Sequence, residues 1–290
     1  MDVKELLKKV REIELKTRGL TKQAFSGEYS SAFKGRGMTF SEVREYQFQD
    51  DVRNIDWNVT ARFNEPFVKV YEEERELSVF LILDISGSIE FGTTEKTKHE
   101  LMLEIAAVLS FSAVNNNDKV GVVFVSDKVE KFIPPKKGRQ HAMMILRDLI
   151  NIEPKSKGTN INEGIKFFRN ITKKRSICFV VSDFYDKNNF LDGLKIANSR
   201  HDMIALRLKD PAEKQLLNFG LVKMKDAESG EERWVNTASK EVREKYEVSY
   251  LEKEKQLDQD FKIAGVDYAV LSTEEKSLVA LNKLFLTRRR

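Results

Sequence analysis

Short apolar runs and longer stretches with helical spacing of the apolar residues alternate along the chain beyond residue 66. The run at residues 78–84 has no polar face, which is typical of a strand that is covered on both sides. The strand-like segments of this alternation lie at residues 78–84, 119–126, 176–182, 203–208 and 266–272. The stretches with helical spacing lie at residues 97–115, 139–150, 161–171, 190–198, 239–262 and from about 275 onwards. This alternation predicts an α/β fold with a doubly wound, mostly parallel sheet.

Other segments depart from that alternation. Residues 67–73 alternate apolar and polar side chains, as a strand does when one of its faces is exposed. Pro134 and Pro135 confine the strand predicted at residues 129–135 to an antiparallel edge of the sheet. Residues 221–226 and 233–237 flank a turn and predict a small β-hairpin inserted into the domain.

The residues before the α/β pattern form a region of different character. Residues 3–17 have the apolar spacing of an amphipathic helix. Residues 18–64 combine Gly, Ser, Arg and Asp with many aromatics, which predicts an irregular but ordered segment with short strands. We therefore expect residues 1–76 to pack on an α/β domain formed by residues 77–290.

Composition narrows the class of protein. Hydrophobic residues make up 41% of the chain, enough for a sizeable core, and the net charge of +4 is far from that of a nucleic-acid-coating protein. Cys178 is the single cysteine and lies in an apolar run, so we expect a buried, inert thiol and no zinc cluster. Residues 1–20 carry charge throughout, unlike a signal peptide, and no apolar run approaches the ~20 residues of a membrane span. These features predict a cytoplasmic protein.

Polar side chains follow two of the predicted central strands. Asp84, Ser86 and Ser88 follow the strand at residues 78–84, and Asp183 follows the strand at residues 176–182. The carboxyl ends of parallel strands meet at one edge, where ligands bind in open α/β sheets. Carboxylate and hydroxyl oxygens suit Mg²⁺ or Mn²⁺. The alternative is that Asp84 only caps a turn and Asp183 is a solvated strand end.

A third element adds a hydroxyl to this set. Thr159 lies just before the helix predicted at residues 161–171, and Asn160 with Glu163 fits a capping box. With Asn160 as the cap, the hydroxyl of Thr159 is not needed for capping and can face the same pocket. The alternative is that Thr159 simply precedes a helix.

Taken together, these residues resemble a known constellation. Asp84, Ser86, Ser88, Thr159 and Asp183 look like a complete metal-ion-dependent adhesion site of the von Willebrand factor A fold. The amino-acid sequence at residues 35–76, 120–139 and 180–184 is similar to that of one bacterial family, catalogued as a domain of unknown function numbered fifty-eight. The likeness extends over about residues 26–210.

The resemblance implies roles for the five residues. Asp84, Ser86 and Ser88 would be direct or water-bridged ligands of Mg²⁺ or Mn²⁺. Thr159 would bind through its hydroxyl, and Asp183 mainly through water. Such proteins are typically encoded beside MoxR-type AAA+ ATPases and are thought to act with them in maturing or assembling other proteins.

The expectation is therefore a non-catalytic, metal-dependent interaction module, a monomer that joins a hetero-complex. A partner protein would offer an acidic side chain that completes the metal shell. Many members carry membrane helices before this block. This chain has none, so membrane tethering is not expected.

Two other function classes remain open from the sequence. A Mg²⁺-dependent phosphohydrolase with Asp84 as nucleophile is the enzyme alternative, although Ser86 stands where that chemistry expects a second acid. The chain has no P-loop, no G-x-G-x-x-G and no nucleophile elbow. Nucleic-acid binding is weaker, because the basic clusters are short and scattered. The Arg- and Asp-rich segment at residues 35–65 is either a structural ion-pair network or a surface that meets the ATPase.

Overall fold

The computed structural model describes residues 39–48, 50–72, 77–94, 96–156, 158–226 and 230–288. These residues divide into two compact units, residues 39–72 and residues 77–288. The helix predicted at residues 3–17 lies outside the described residues.

The smaller unit is built on an antiparallel pair of strands. Its elements in chain order are β1 (Thr39–Glu45), a 3-10 turn (Val52–Asn54), α1 (Trp57–Phe63) and β2 (Phe67–Glu72). Helix α1 begins where the carboxylate of Asp56 accepts hydrogen bonds from the backbone N–H groups of Asn58 and Val59, at 3.0 and 3.3 Å. The short strands expected here are present, whereas α1 was not predicted.

Ion pairs within the smaller unit account for part of its Arg- and Asp-rich sequence. The Nη1 and Nη2 atoms of Arg44 each donate to one carboxylate oxygen of Asp50 at 2.7 Å. These bonds hold the pKa of Asp50 below its ordinary value. Arg53 pairs with Asp51 at 3.2 Å. The partners of both pairs lie inside this unit.

A six-stranded sheet forms the centre of the larger unit. Its strands are β3 (Ser78–Asp84), β4 (Lys119–Val125), β5 (Val129–Lys136), β6 (Ile177–Ser182), β7 (Asp202–Lys209) and β10 (Asp267–Ser272). They lie in the order β10-β7-β6-β3-β4-β5. All neighbours are parallel except β5, which pairs antiparallel with β4 at the edge. The predicted mostly parallel α/β sheet and its antiparallel edge strand are confirmed.

Helices cover both faces of this sheet. They are α2 (Lys98–Asn115), α3 (Arg139–Asn151), α4 (Ile161–Ile171), α5 (Leu191–Asn198), α6 (Lys240–Ala264) and α7 (Ser277–Arg288). Helices α2, α3 and α7 share one hydrophobic cluster with the sheet, and α4, α5 and α6 share another. Helix α2 is buried over most of its length, as its nearly uniform apolar sequence predicts. The described ranges contain no helix that is both long enough and apolar enough to cross a membrane.

The predicted hairpin insertion is also present, as β8 (Leu221–Lys225) and β9 (Glu232–Asn236).

The winding of the sheet positions the candidate site. From β3 the chain winds outwards through β4 to β5, and then returns to place β6 on the other side of β3. Ligands bind at such a reversal, outside the carboxyl ends of the strands. Leu83 pairs with Val181 in the β3–β6 register, so Asp84 and Asp183 follow at the same edge.

Candidate metal centre

The turn after β3 brings the first three predicted residues together. The Oδ1 atom of Asp84 accepts a hydrogen bond from the backbone N–H of Ser86 at 3.0 Å. The hydroxyls of Ser86 and Ser88 lie 3.2 Å apart, because the chain enters a 3-10 turn at Gly87–Glu90. One carboxylate and two hydroxyls therefore occupy a single turn, as the sequence predicts.

The end of β6 supplies a second carboxylate beside this turn. The hydroxyl of Ser182 donates to Oδ2 of Asp84 at 2.6 Å, which ties β6 to the β3 turn directly. Asp183 follows, and its Oδ1 atom accepts from the backbone N–H of Tyr185 at 3.1 Å. Phe184 between them has a φ of 59°, a left-handed conformation that aromatic residues rarely adopt. Such backbone strain tends to concentrate at functional sites.

The two carboxylates are buried and influence each other. Asp84 and Asp183 are each only 1% exposed. Burial, together with the nearby negative charge of Asp183, raises the pKa of Asp84 from 3.8 to about 7. Burial and repulsion from Asp183 therefore destabilise the ionised form of Asp84, and a bound cation would stabilise it.

A buried lysine pairs with one of these two carboxylates. The ammonium of Lys98 lies 2.9 Å from Oδ2 of Asp183 and also pairs with Glu213. Burial disfavours the charged ammonium, but Asp183 and Glu213 outweigh it and raise the pKa of Lys98 above its ordinary value. Neither Lys98 nor Glu213 was predicted from the sequence as a residue of this site. His99, which comes next, places Nε2 3.2 Å from the carbonyl oxygen of Leu149.

Thr159 lies in the loop before α4 and is 7% exposed. Its carbonyl oxygen accepts from the side-chain amide of Asn188 at 3.0 Å, which connects it to the chain that follows β6. The next backbone N–H, that of Asn160, donates to the carbonyl of Ser126, just beyond β4, at 2.8 Å. These bonds tie the Thr159 loop to the segments that follow β4 and β6. Its part as a ligand remains a prediction.

The prediction of a capping box at the start of α4 is wrong. Asn160 is the N-cap residue of α4, but its side chain makes no capping hydrogen bond. The carboxylate of Asp186 accepts the backbone N–H of Ile161 at 2.8 Å, and Glu163 pairs with Lys166 instead. A residue from the loop after β6 therefore takes over the capping role.

The chemistry of the donors fits a hard dication. The candidate set combines carboxylate and hydroxyl oxygens, and within the described ranges no group of three or more His, Cys, Asp or Glu side chains is arranged to hold a metal. Asp84, Ser86 and Ser88 provide such oxygens in one turn, and the buried charge of Asp183 lies beside them. Oxygen-only sets of this kind suit Mg²⁺ or Mn²⁺. Thr159 would complete the predicted set.

A cavity of about 980 Å³ opens next to these residues. Ser88 and Asp183 lie in its wall, together with Phe219 just before the hairpin, Met224 of β8 and Tyr246 of α6. Lys98 and Glu213 also line it, so the candidate site opens onto a cleft large enough for several side chains of a ligand.

Comparison with known proteins now places the chain. Residues 42–256 match the family described as Protein of unknown function DUF58. The chain belongs to this family. A relative of this DUF58 chain, Uncharacterized protein Rv1480 of Mycobacterium tuberculosis (strain ATCC 25618 / H37Rv), is 30% identical over 232 residues, which are 79% of this chain and 73% of that protein. Uncharacterized protein YeaD of Bacillus subtilis (strain 168) is 28% identical over 109 residues, 38% of this chain and 25% of that protein.

Comparison with solved structures concerns the fold of the DUF58 chain. An aerotolerance-related membrane protein from Bacteroides fragilis aligns over 73% of this chain and 99% of its own, with 18% identity and a TM-score of 0.51. The SpRpn10 VWA domain aligns over 72% of this chain and 94% of its own, with 9% identity and a TM-score of 0.43. At 18% identity, the likeness to the Bacteroides fragilis protein concerns the fold alone.

Proposed function

We propose that this DUF58 chain is a non-catalytic module that binds another protein through a Mg²⁺ or Mn²⁺ ion at the carboxyl ends of β3 and β6. The observation that carries the proposal is the pair of buried carboxylates, Asp84 and Asp183, beside two hydroxyls in one turn. The raised pKa of Asp84 supports it, because a cation would remove the repulsion that causes the shift.

The partner offers an Asp or Glu side chain to the metal. A dication beside the two carboxylates leaves no net charge and still has room for one more oxygen ligand. The adjoining cavity of about 980 Å³ gives space for the residues that flank this acidic side chain. The resemblance to MoxR-associated proteins makes a MoxR-type AAA+ ATPase the proposed partner, in the cytoplasmic maturation or assembly of other proteins.

Capture of the purified MoxR-type ATPase from the same genome tests this function. The wild-type chain and Asp84→Ala are compared in Mg²⁺ and in EDTA. Asp148→Ala is the matched control, because Asp148 of α3 pairs with Lys131 of the edge strand β5 and not with a residue of the candidate site. Wild type and Asp148→Ala should capture the ATPase in Mg²⁺ only, and folded Asp84→Ala should fail in both buffers.

Capture of the ATPase that is unchanged by EDTA and by Asp84→Ala would contradict the proposal. Hydrolysis of p-nitrophenyl phosphate that requires Mg²⁺ and Asp84 would replace it with the phosphohydrolase. Against that alternative, Ser86 stands at the position where phosphohydrolase chemistry expects a second acid.

A further inference from the structure

Lys98 is fixed inside the protein at the first position of helix α2. Thr97 before it is the N-cap, and a capping box holds the first turn. The backbone N–H of Glu100 donates to the Thr97 hydroxyl at 3.1 Å, and that of Thr97 donates to the Glu100 carboxylate at 3.2 Å. The Lys98 side chain is 1% exposed, and its ammonium lies 5.9 Å from the centre of the Phe91 ring. It therefore has little freedom to turn towards solvent.

This is an unfavourable place for a positive charge. A cation at a helix N-terminus opposes the helix dipole, and a charge removed from water loses its hydration. Lys98 bears both costs, which its ion pairs with Asp183 and Glu213 offset. A methionine side chain would fill a similar volume without opposing the helix dipole and without losing hydration. The property that lysine adds at this position is therefore its positive charge.

The charge balance of the site depends on that ammonium. Asp84, Asp183 and Glu213 contribute three negative charges when ionised, and Lys98 contributes one positive charge. A dication brings this cluster to neutrality. Without Lys98 the loaded cluster would be negative and would repel the carboxylate of a partner.

Lys98 also restrains the second carboxylate. Its ammonium takes Oδ2 of Asp183 at 2.9 Å, and the Tyr185 N–H takes Oδ1 at 3.1 Å. Nε of Arg207 donates to the Asp183 carbonyl at 3.2 Å, which holds the backbone as well. These bonds fix the position of the Asp183 carboxylate, which adds negative charge to the site.

We propose that Lys98 determines the ligand preference of the candidate site. Its ammonium weakens the binding of the metal itself and, in exchange, keeps the loaded site receptive to an acidic side chain. This inference rests on the proposed function, since it concerns how the same metal site selects its partner. A purely structural lysine would act differently, because its loss would weaken both binding events.

Lys98→Met separates these roles through two measurements on the full chain. Calorimetric titration with Mn²⁺ should give binding on the order of tenfold tighter than wild type, because a unit positive charge next to the dication has been removed. At saturating Mn²⁺, N-acetyl-aspartate amide is then titrated while water proton relaxation is followed, since a carboxylate that displaces water from Mn²⁺ lowers the relaxation rate. Lys98→Met should need several-fold more of this ligand, and N-acetyl-asparagine amide should have no effect.

Lys96→Met is the matched control, because Lys96 pairs with Glu104 at 2.8 Å and is 39% exposed. It should bind both Mn²⁺ and the ligand like wild type. If Lys98→Met fails to fold, the double variant Lys98→Met/Glu213→Gln is compared with Glu213→Gln. The double variant leaves one carboxylate fewer without a partner. Relative to Glu213→Gln, it should bind Mn²⁺ more tightly and the acidic ligand more weakly.

Weaker or unchanged Mn²⁺ binding by the folded Lys98 variant would overturn the inference. Unchanged ligand binding at saturating Mn²⁺ would overturn it too. In both cases the proposed function would stand, provided that Asp84→Ala abolishes Mn²⁺ binding. Absence of Mn²⁺ binding by the wild-type chain would end the proposed function and this inference together.

Discussion

Replacing Asp84 by Asn tests the electrostatic cost of the candidate site in the metal-free protein. Burial and the charge of Asp183 raise the pKa of Asp84 from 3.8 to about 7. The folded state thus holds this proton more tightly than the unfolded chain, so the stabilisation is fully present below about pH 4 and is lost as the pH rises through 7. At about 1.36 kcal/mol per pKa unit, the loss above pH 7 approaches about 4 kcal/mol.

Asparagine has nearly the same shape as aspartate and no charge, and its carbonyl oxygen can still accept from the Ser86 N–H. In EDTA, Asp84→Asn should therefore exceed wild type in free energy of unfolding at pH 8, by up to about 4 kcal/mol. The difference should shrink towards pH 4.5. Urea unfolding at several pH values measures it.

Asp148→Asn, at the ion pair with Lys131, should show no such gain at pH 8. An Asp84→Asn protein that is less stable than wild type at pH 8 would refute the reasoning. So would a difference that does not change with pH. Either result would make Asp84 a structural hydrogen-bonding residue rather than a charge held at a cost.

Further predictions concern the metal, the packing and the thiol. Mg²⁺ at about a hundred times its Kd should add about 2.7 kcal/mol to the unfolding free energy of wild type and nothing to that of Asp84→Asn, as thermal unfolding would reveal. Gly164→Ala should cost about 1–3 kcal/mol in urea unfolding, because the added Cβ would lie 2.9 Å from Cγ2 of the buried Ile82; an unchanged midpoint would contradict this. Cys178 is fully buried and burial raises its pKa, so the folded chain should not react with a thiol reagent until it is unfolded, and rapid labelling would contradict the buried position.

The parts of the fold that could be predicted are those that local sequence determines. The runs that became β3 and β6 are apolar at every position because helices cover both faces of the sheet, so their identity needs no knowledge of distant residues. The cluster of Asp84, Ser86 and Ser88 could also be predicted, since the three lie within one turn. Helix α1 was missed because seven residues are too few to display a helical period.

The residues that were missed depend on contacts distant in sequence. A lysine at the start of a helix is ordinarily solvated, and nothing near Lys98 in the chain indicates its burial. Its partner Asp183 is 85 residues away, and Glu213 comes from a short 3-10 turn after β7. The capping box at Asn160 failed for the same reason, since Asp186 from another loop accepts the N–H group of Ile161.

The most direct test of the account is a crystal structure of the chain grown with Mn²⁺, with anomalous scattering used to locate the ion. The account predicts one strong anomalous peak within about 2.0–2.6 Å of oxygens from Asp84, Ser86 and Ser88, the range in which hard dications bind oxygen. The Thr159 hydroxyl should lie at the same ion, with Asp183 behind a water molecule. A map without a peak at the ends of β3 and β6, or a peak there that leaves Asp84 unbound, would contradict it.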